Sequence, residues 1–172
     1  KRQPKEGNFD WMIRVPVRNS LEPRHSIAVE EISGKGFLYA DDGSVDGYYT
    51  FQQGGAMAGF KRGAYSVIEE IYLYGRVEGS WFELKPTFRI FLLDNDLRMI
   101  TSVQRGYDIL TEVPQWTVVD FPNTPLTSDF YILVEPTSRP GYSLQIGYDT
   151  SSRNLNSFYG TVGVIKEWNL PI

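Results

Sequence analysis

The chain has 172 residues, enough for one domain with a substantial core and short for two. Its charges sum to −4, it has no cysteine, and its single histidine is His25. These features exclude disulfide scaffolds, thiolate zinc sites and Cys-His nucleophile pairs, and they argue against an electrostatic nucleic-acid binder. No apolar run approaches the ~18 residues of a membrane span, so membrane insertion is not expected.

In chain order, Lys1 opens the sequence with no leader-like segment ahead of the first strand pattern, which reads as a processed or excised piece. Phe9, Trp11, Ile13, Val15 and Val17 then alternate with Asp10, Met12, Arg14 and Pro16, the pattern of a half-buried strand. Pro16 lacks an amide hydrogen, which places this strand at an edge or ends it there. His25 lies in a polar, proline-flanked stretch without partner residues and reads as a solvated loop histidine. Gly54, Gly55, Ala56 and Gly59 read as a bend between strands, because the Lys-Ser/Thr and helix of a phosphate loop are missing.

From Ser66 to Tyr74, β-branched and aromatic content favours strand over helix. Ile71, Leu73, Gly75 and Val77 alternate there with Tyr72, Tyr74 and Arg76. Phe88, Ile90 and Leu92 alternate with Arg89, Phe91 and Leu93, so that strand is apolar on nearly both faces and should be central. Asp94-Asn95-Asp96 predicts a tight turn, since Asn and Asp tolerate left-handed φ and bond their own backbone. Leu97 to Val103 returns antiparallel. Trp116 to Phe121, Phe130 to Val134 and Leu144 to Tyr148 are further short strands. Many short strands, punctuated by 16 Gly and 10 Pro, predict an all-β fold: a two-sheet antiparallel β-sandwich of jelly-roll type, with a barrel as the alternative. One domain over 1–172 is expected, with an edge strand over 1–17, a linker and strand over 18–36, and the sandwich body over 37–172.

Five segments, in three groups, carry a family resemblance. Tyr39-Ala40-Asp41-Asp42-Gly43-Ser44-Val45-Asp46-Gly47 resembles the "Y-D-D-G-T-x-E-G" opening of secreted bacterial and archaeal β-sandwich domains. Ile71 to Gly75 and Phe88 to Asp94 are similar to the central strand pair of such domains. Asp129-Phe130-Tyr131-Ile132-Leu133-Val134 and Ile146-Gly147-Tyr148-Asp149-Thr150-Ser151-Ser152 resemble their "D-F-Y-V-x-V" and "I-G-Y-D-T-S-S" segments. The resemblance implies a jelly-roll accessory module of extracellular or cell-surface proteins, similar in shape to carbohydrate-binding modules and without catalytic residues. In such domains the strand resembling Asp10-Trp11-Met12-Ile13-Arg14-Val15 comes last. Here it leads, which implies either a circular permutation or one unit of a tandem array, completing its own chain's sheet or a neighbour's.

Asp41, Asp42 and Asp46, with Gly43 and Gly47, form an acid-rich turn. Turn chemistry alone accounts for them; hard oxygen ligands on a Gly-permitted loop also suit a structural calcium ion, although the spacing is not that of an EF-hand. Glu69 and Glu70 are adjacent on a strand and so should point to opposite faces, unlike the acid pair of a glycosidase. With no nucleophile, metal or cofactor motif, no catalytic residue is assigned and no enzyme is expected.

Aromatic residues are in surplus, with 4 Trp, 11 Tyr and 10 Phe, too many for a core of this size to need them all. Tyr48-Tyr49, Tyr107, Tyr142, Tyr148, Phe158-Tyr159 and Trp168 lie in or beside turn-like sequence. Aromatic faces stack on the apolar C–H faces of sugars while Asn, Asp and Arg satisfy hydroxyls. Tyr148, Asp149, Asn154, Asn156 and Tyr159 are the candidate ligand-binding group on this logic, with carbohydrate the expected ligand. The alternative is a structural or adhesive repeat that holds neighbouring domains or protein partners, in an array or a swapped dimer.

Overall fold

A computed structural model describes residues 10–16, 37–38, 43–51, 54–62, 67–79, 86–136, 142–150 and 157–160. Its strands are β1 (Asp10–Trp11), β2 (Ile13–Pro16), β3 (Phe37–Leu38), β4 (Gly47–Phe51), β5 (Gly55–Phe60), β6 (Val67–Gly79), β7 (Thr87–Asp94), β8 (Met99–Gly106), β9 (Gln115–Pro125), β10 (Phe130–Pro136), β11 (Tyr142–Asp149) and β12 (Ser157–Gly160). A 3-10 turn, Tyr107–Ile109, follows β8. All pairings among the described residues are antiparallel and fall into a seven-stranded sheet and a five-stranded sheet. The fold is therefore the expected two-sheet β-sandwich.

The five-stranded sheet runs β12-β5-β10-β7-β8. Its inward residues, Ala56, Ala58, Ile90, Leu92, Ile132 and Val134, meet Trp11, Ile13, Ile71, Leu73, Leu144 and Ile146 of the other sheet in one core. The outward face of the same sheet is not polar: Met57, Phe91, Leu93, Leu97 and Leu133 form a second buried cluster. This explains why β7 is apolar on both faces. It has partners on both edges, β10 and β8, and buried groups on both sides.

The turn after β7 forms where expected, but a different residue takes the left-handed conformation. Asp94 Oδ1 accepts from the amides of Asp96 and Arg98, both at 2.9 Å, while Leu97 has φ 60. A left-handed non-glycine residue costs about 1–2 kcal/mol. Burying the Leu97 side chain in the second cluster offsets this, since full burial of a leucine contributes about 1.5–3 kcal/mol.

Two expectations are corrected in this part of the chain. Gly55–Phe60 is a strand and not a bend, pairing with β10 on one side and β12 on the other. Its small residues let it lie flat between two close neighbours, where their small size had suggested a break. Tyr48 and Tyr49 likewise belong to a strand, β4, which pairs with β11.

The leading strand departs furthest from expectation. It does not add to an edge: Asp10 and Trp11 pair with Asp149 and Tyr148 of β11, and Ile13 and Arg14 pair with Leu73 and Tyr72 of β6. Between them the Met12 amide donates to the Gly147 carbonyl, and the Met12 carbonyl accepts from the Tyr74 amide, each at 3.0 Å. β11 and β6 pair directly only from Tyr142 to Ile146. Beyond that point they part, and residues 10–14 fill the opening. β2 is described as far as Pro16, which pairs with Phe37 of β3.

The outer strands on one side of the sandwich resist further pairing. β9 carries Pro122 and Pro125, and the register of β8 against β7 slips at Ile100, leaving that residue as a bulge. Arg105 Nη2 donates to the Asp120 carbonyl at 2.9 Å, tying β8 to β9 across the two sheets.

Trp11 is fully buried and edge-on or tilted to Tyr49 and Phe51, at 6.0 and 5.3 Å. Trp11→Ala should therefore cost about 3–5 kcal/mol in denaturant unfolding. A loss under 1 kcal/mol would show that the inserted strand contributes little to the core.

Candidate functional site

Where Trp11, Ile13 and Val15 face the core, Asp10, Met12 and Arg14 must face outward by strand alternation. The same parity puts Tyr72, Tyr74, Arg76 and Glu78 of β6, Gln145, Gly147 and Asp149 of β11, Tyr48 and Thr50 of β4, and Trp116, Val118 and Asp120 of β9 on this outer face. Charge alone would leave such a face to lysines and glutamates. Here rings and two arginines occupy it.

One row crosses five strand segments: Tyr48, Gly147, Met12, Tyr74 and Trp116 lie side by side in register. Tyr48 and Tyr74 are stacked at 6.4 Å, and Tyr74 meets Trp116 edge-on at 5.3 Å. Gly147 makes the row possible. A Cβ there would lie 3.0 Å from the Tyr74 ring and 3.1 Å from the Met12 sulfur, so any side chain would push the rings apart. Tyr48, Tyr74 and Trp116 are each half-buried, which leaves part of every ring to solvent.

Cations flank the row on both sides. The Arg14 guanidinium lies 4.8 Å from the centre of the Trp116 ring, and that of Arg76 lies 5.4 Å from the centre of the Tyr48 ring. Arg14 is almost wholly buried, and Asp10 and Asp149, paired in register, are fully buried. The loop before β4 lies over this end of the face: a Cβ on Gly43 would sit 3.7 Å from an Arg14 nitrogen.

The opposite end is polar. Gln145 Oε1 accepts from Arg76 Nε, while Gln145 Nε2 donates to Thr50 Oγ1 at 2.9 Å and to Glu78 Oε2 at 2.8 Å.

Two phenols on this face are strongly perturbed. Tyr48 is pushed up to about 12, first by burial and then by the hydrogen bond its hydroxyl makes to Tyr74. Tyr72 is also pushed up to about 12, by burial and by the charge of Glu70, to which its hydroxyl donates.

The residues singled out in the sequence are not gathered into one place. Tyr148 and Asp149 are neighbours on β11 and so face opposite ways. Tyr148 packs against the core, its ring covering Gly47, while Asp149 is buried on the outer side. Asn154 and Asn156 lie outside the described residues. Tyr159 lies in β12, on the five-stranded sheet, opposite Ala56. Tyr107, expected beside a loop, is a core residue at 2 % exposure.

Asp41 and Asp42 also lie outside the described residues. Asp46 Oδ2 accepts from the Thr150 amide at 2.7 Å and from its hydroxyl at 2.6 Å, so it clamps its loop to the end of β11. Among the described residues no three acidic or histidine side chains converge as metal ligands would.

Strict alternation breaks down around Glu69 and Glu70. The register slips between Ile68 and Glu70, and Ile68 and Ile71, three apart, both reach the core. Between the Ile68–Thr124 and Glu70–Asp120 pairs β9 has two residues more than β6, and both glutamates stay half-buried outside the core.

The sequence signal for the outer face was the second set of alternating residues on β6. Tyr72, Tyr74 and Arg76 are large and partly apolar where solvated positions need not be.

Comparison with known protein families, curated proteins and solved structures finds no match to this chain.

The tyrosines give this face a measurable pH signature. Unfolded tyrosine ionises near 10, so the unfolded chain loses its phenolic protons first as pH rises. The stability that neutral Tyr48 and Tyr72 contribute is complete below pH 10 and is lost as pH climbs through about 12. Tyr72→Phe should flatten the fall in unfolding free energy over that window. A variant that loses stability as steeply as the parent would contradict the placement of Tyr72 against Glu70.

Proposed function

We propose that the chain is a non-catalytic, jelly-roll-type β-sandwich module of an extracellular or surface protein, and that it binds carbohydrate on the outer face of its seven-stranded sheet. One observation carries this reading: three half-exposed rings, Tyr48, Tyr74 and Trp116, lie in a single row, bordered by the Arg76, Gln145 and Thr50 side chains. Sugar rings present apolar C–H faces and a rim of hydroxyls, and a ring row with a polar border meets both.

The site differs from the loop-borne one expected from sequence. Its aromatics stand on strands, where the sheet fixes their spacing before any ligand arrives. Less ordering free energy is then lost on binding.

The resemblance to accessory modules of secreted proteins fits this reading. The proline-bearing and bulged edges of β9 and β8 weigh against assembly by strand addition on that side.

A glycan array followed by calorimetry on the best ligand tests the reading. Trp116→Ala and Tyr74→Ala should each weaken binding by about 1–3 kcal/mol while leaving a cooperatively folded chain. Failure to bind any glycan, or binding indifferent to both substitutions, would contradict it.

A further inference from the structure

Arg76 is placed differently from the other arginine of this face. Arg14 is almost wholly buried beneath the loop before β4, whereas Arg76 is half-buried at the other end of the face. Among the described residues, Arg76 has two fixed contacts. Its Nε donates to Gln145 Oε1, and its guanidinium lies over the Tyr48 ring. No hydrogen bond or ion pair within the described residues engages its two terminal nitrogens. Gln145 is itself immobilised, 6 % exposed and bonded to Thr50 and Glu78. The fork is therefore oriented in advance, with its donors unspent.

A planar guanidinium held at Nε and stacked on a ring presents two parallel N–H groups at its far edge. That geometry matches the two oxygens of a carboxylate. Among the described residues, the neighbouring charges leave an approach to Arg76 over the rings. Glu78, the carboxylate of the same cluster, lies on the side of Arg76 away from the rings, since Arg76 is opposite Gln145 and Glu78 is opposite Ser143. The ring row itself, Tyr48, Gly147, Met12, Tyr74 and Trp116, contains no acid. An anion arriving over the rings meets Arg76 first.

We propose that Arg76 is a carboxylate-docking group, and that the saccharides taken by this face are acidic ones whose chains carry uronic acid residues. The assignment rests on the carbohydrate reading above and narrows it. Sugar rings lie against Tyr48, Tyr74 and Trp116, and the carboxylate of one residue reaches the Arg76 fork. Gln145 is a positioning residue that holds the fork edge-outward.

Matched ligands test this. Oligomers of galacturonic, glucuronic and mannuronic acid are each compared with their carboxyl-reduced, neutral counterparts on the intact chain. At least one acid should bind tenfold or more tighter than its neutral twin, with the difference shrinking as salt rises. Arg76→Lys keeps the charge but loses the planar fork, and should erase most of that preference, weakening the acidic oligomer far more than its neutral twin. Gln145→Leu should reduce the preference in the same direction.

Equal binding of every matched pair, or a preference that survives Arg76→Lys, would overturn the carboxylate assignment and leave the sugar-binding reading standing. A dextran sulfate that binds as tightly as the best uronan would also overturn it, because charge alone would then suffice. No binding by any acid or neutral oligomer would overturn both.

Discussion

Seven residues near the start of the chain, 10–16, organise the seven-stranded sheet. β11 and β6 pair directly over one end and separate at the other, and the leading strand fills the opening with hydrogen bonds to both. The insertion works on two sides at once. Inward, Trp11, Ile13 and Val15 complete the core; outward, Met12 and Arg14 lie among the rings. Without it, two interior strands would face each other with unmet backbone groups, and a burial site sized for tryptophan would be empty. The core and the outer face are thus consequences of the same pairing.

The outer face shows how a sheet builds a surface from distant sequence. Its parts come from β2, β4, β6, β9 and β11, and no two of those strands are consecutive in the chain. Antiparallel register sets which residues share a row. A slip of one residue in β6 would send Tyr74 inward and Leu73 outward. The row is held by that constraint as much as by its ring contacts. The same rigidity makes it suited to a ligand with repeated, flat units.

Most of the sandwich was legible from alternation. β6, β9 and β11 carry one apolar parity toward the core, β7 and β10 are apolar on both faces, and each is a strand where the pattern placed it. β5 was hidden because glycine and alanine, which signal a bend by preference, are here the small residues that fit between β10 and β12. The interior position of the leading strand was hidden for another reason. Its alternation fixes which residues face the core but says nothing of which neighbours it has.

The candidate site was less legible still. Local reasoning selected aromatics beside turns, such as Tyr107 and Tyr148; the fold buries the first in the core and packs the second against it. Tyr48, Tyr74, Arg76, Trp116 and Gln145 converge only once β4, β6, β9 and β11 are aligned, and that alignment is long-range.

Amide hydrogen exchange at the inserted strand tests the central claim most directly. If residues 10–14 are an interior strand, the amides of Met12 and Tyr74, bonded to Gly147 and Met12, open only with the whole domain. Their opening free energies should then equal that of Ile132 in the middle of β10, and all three should fall together in denaturant. Exchange at Met12 as fast as in a fraying chain end, with Ile132 still fully protected, would contradict the account and make the leading strand a peripheral addition to a sheet that closes without it.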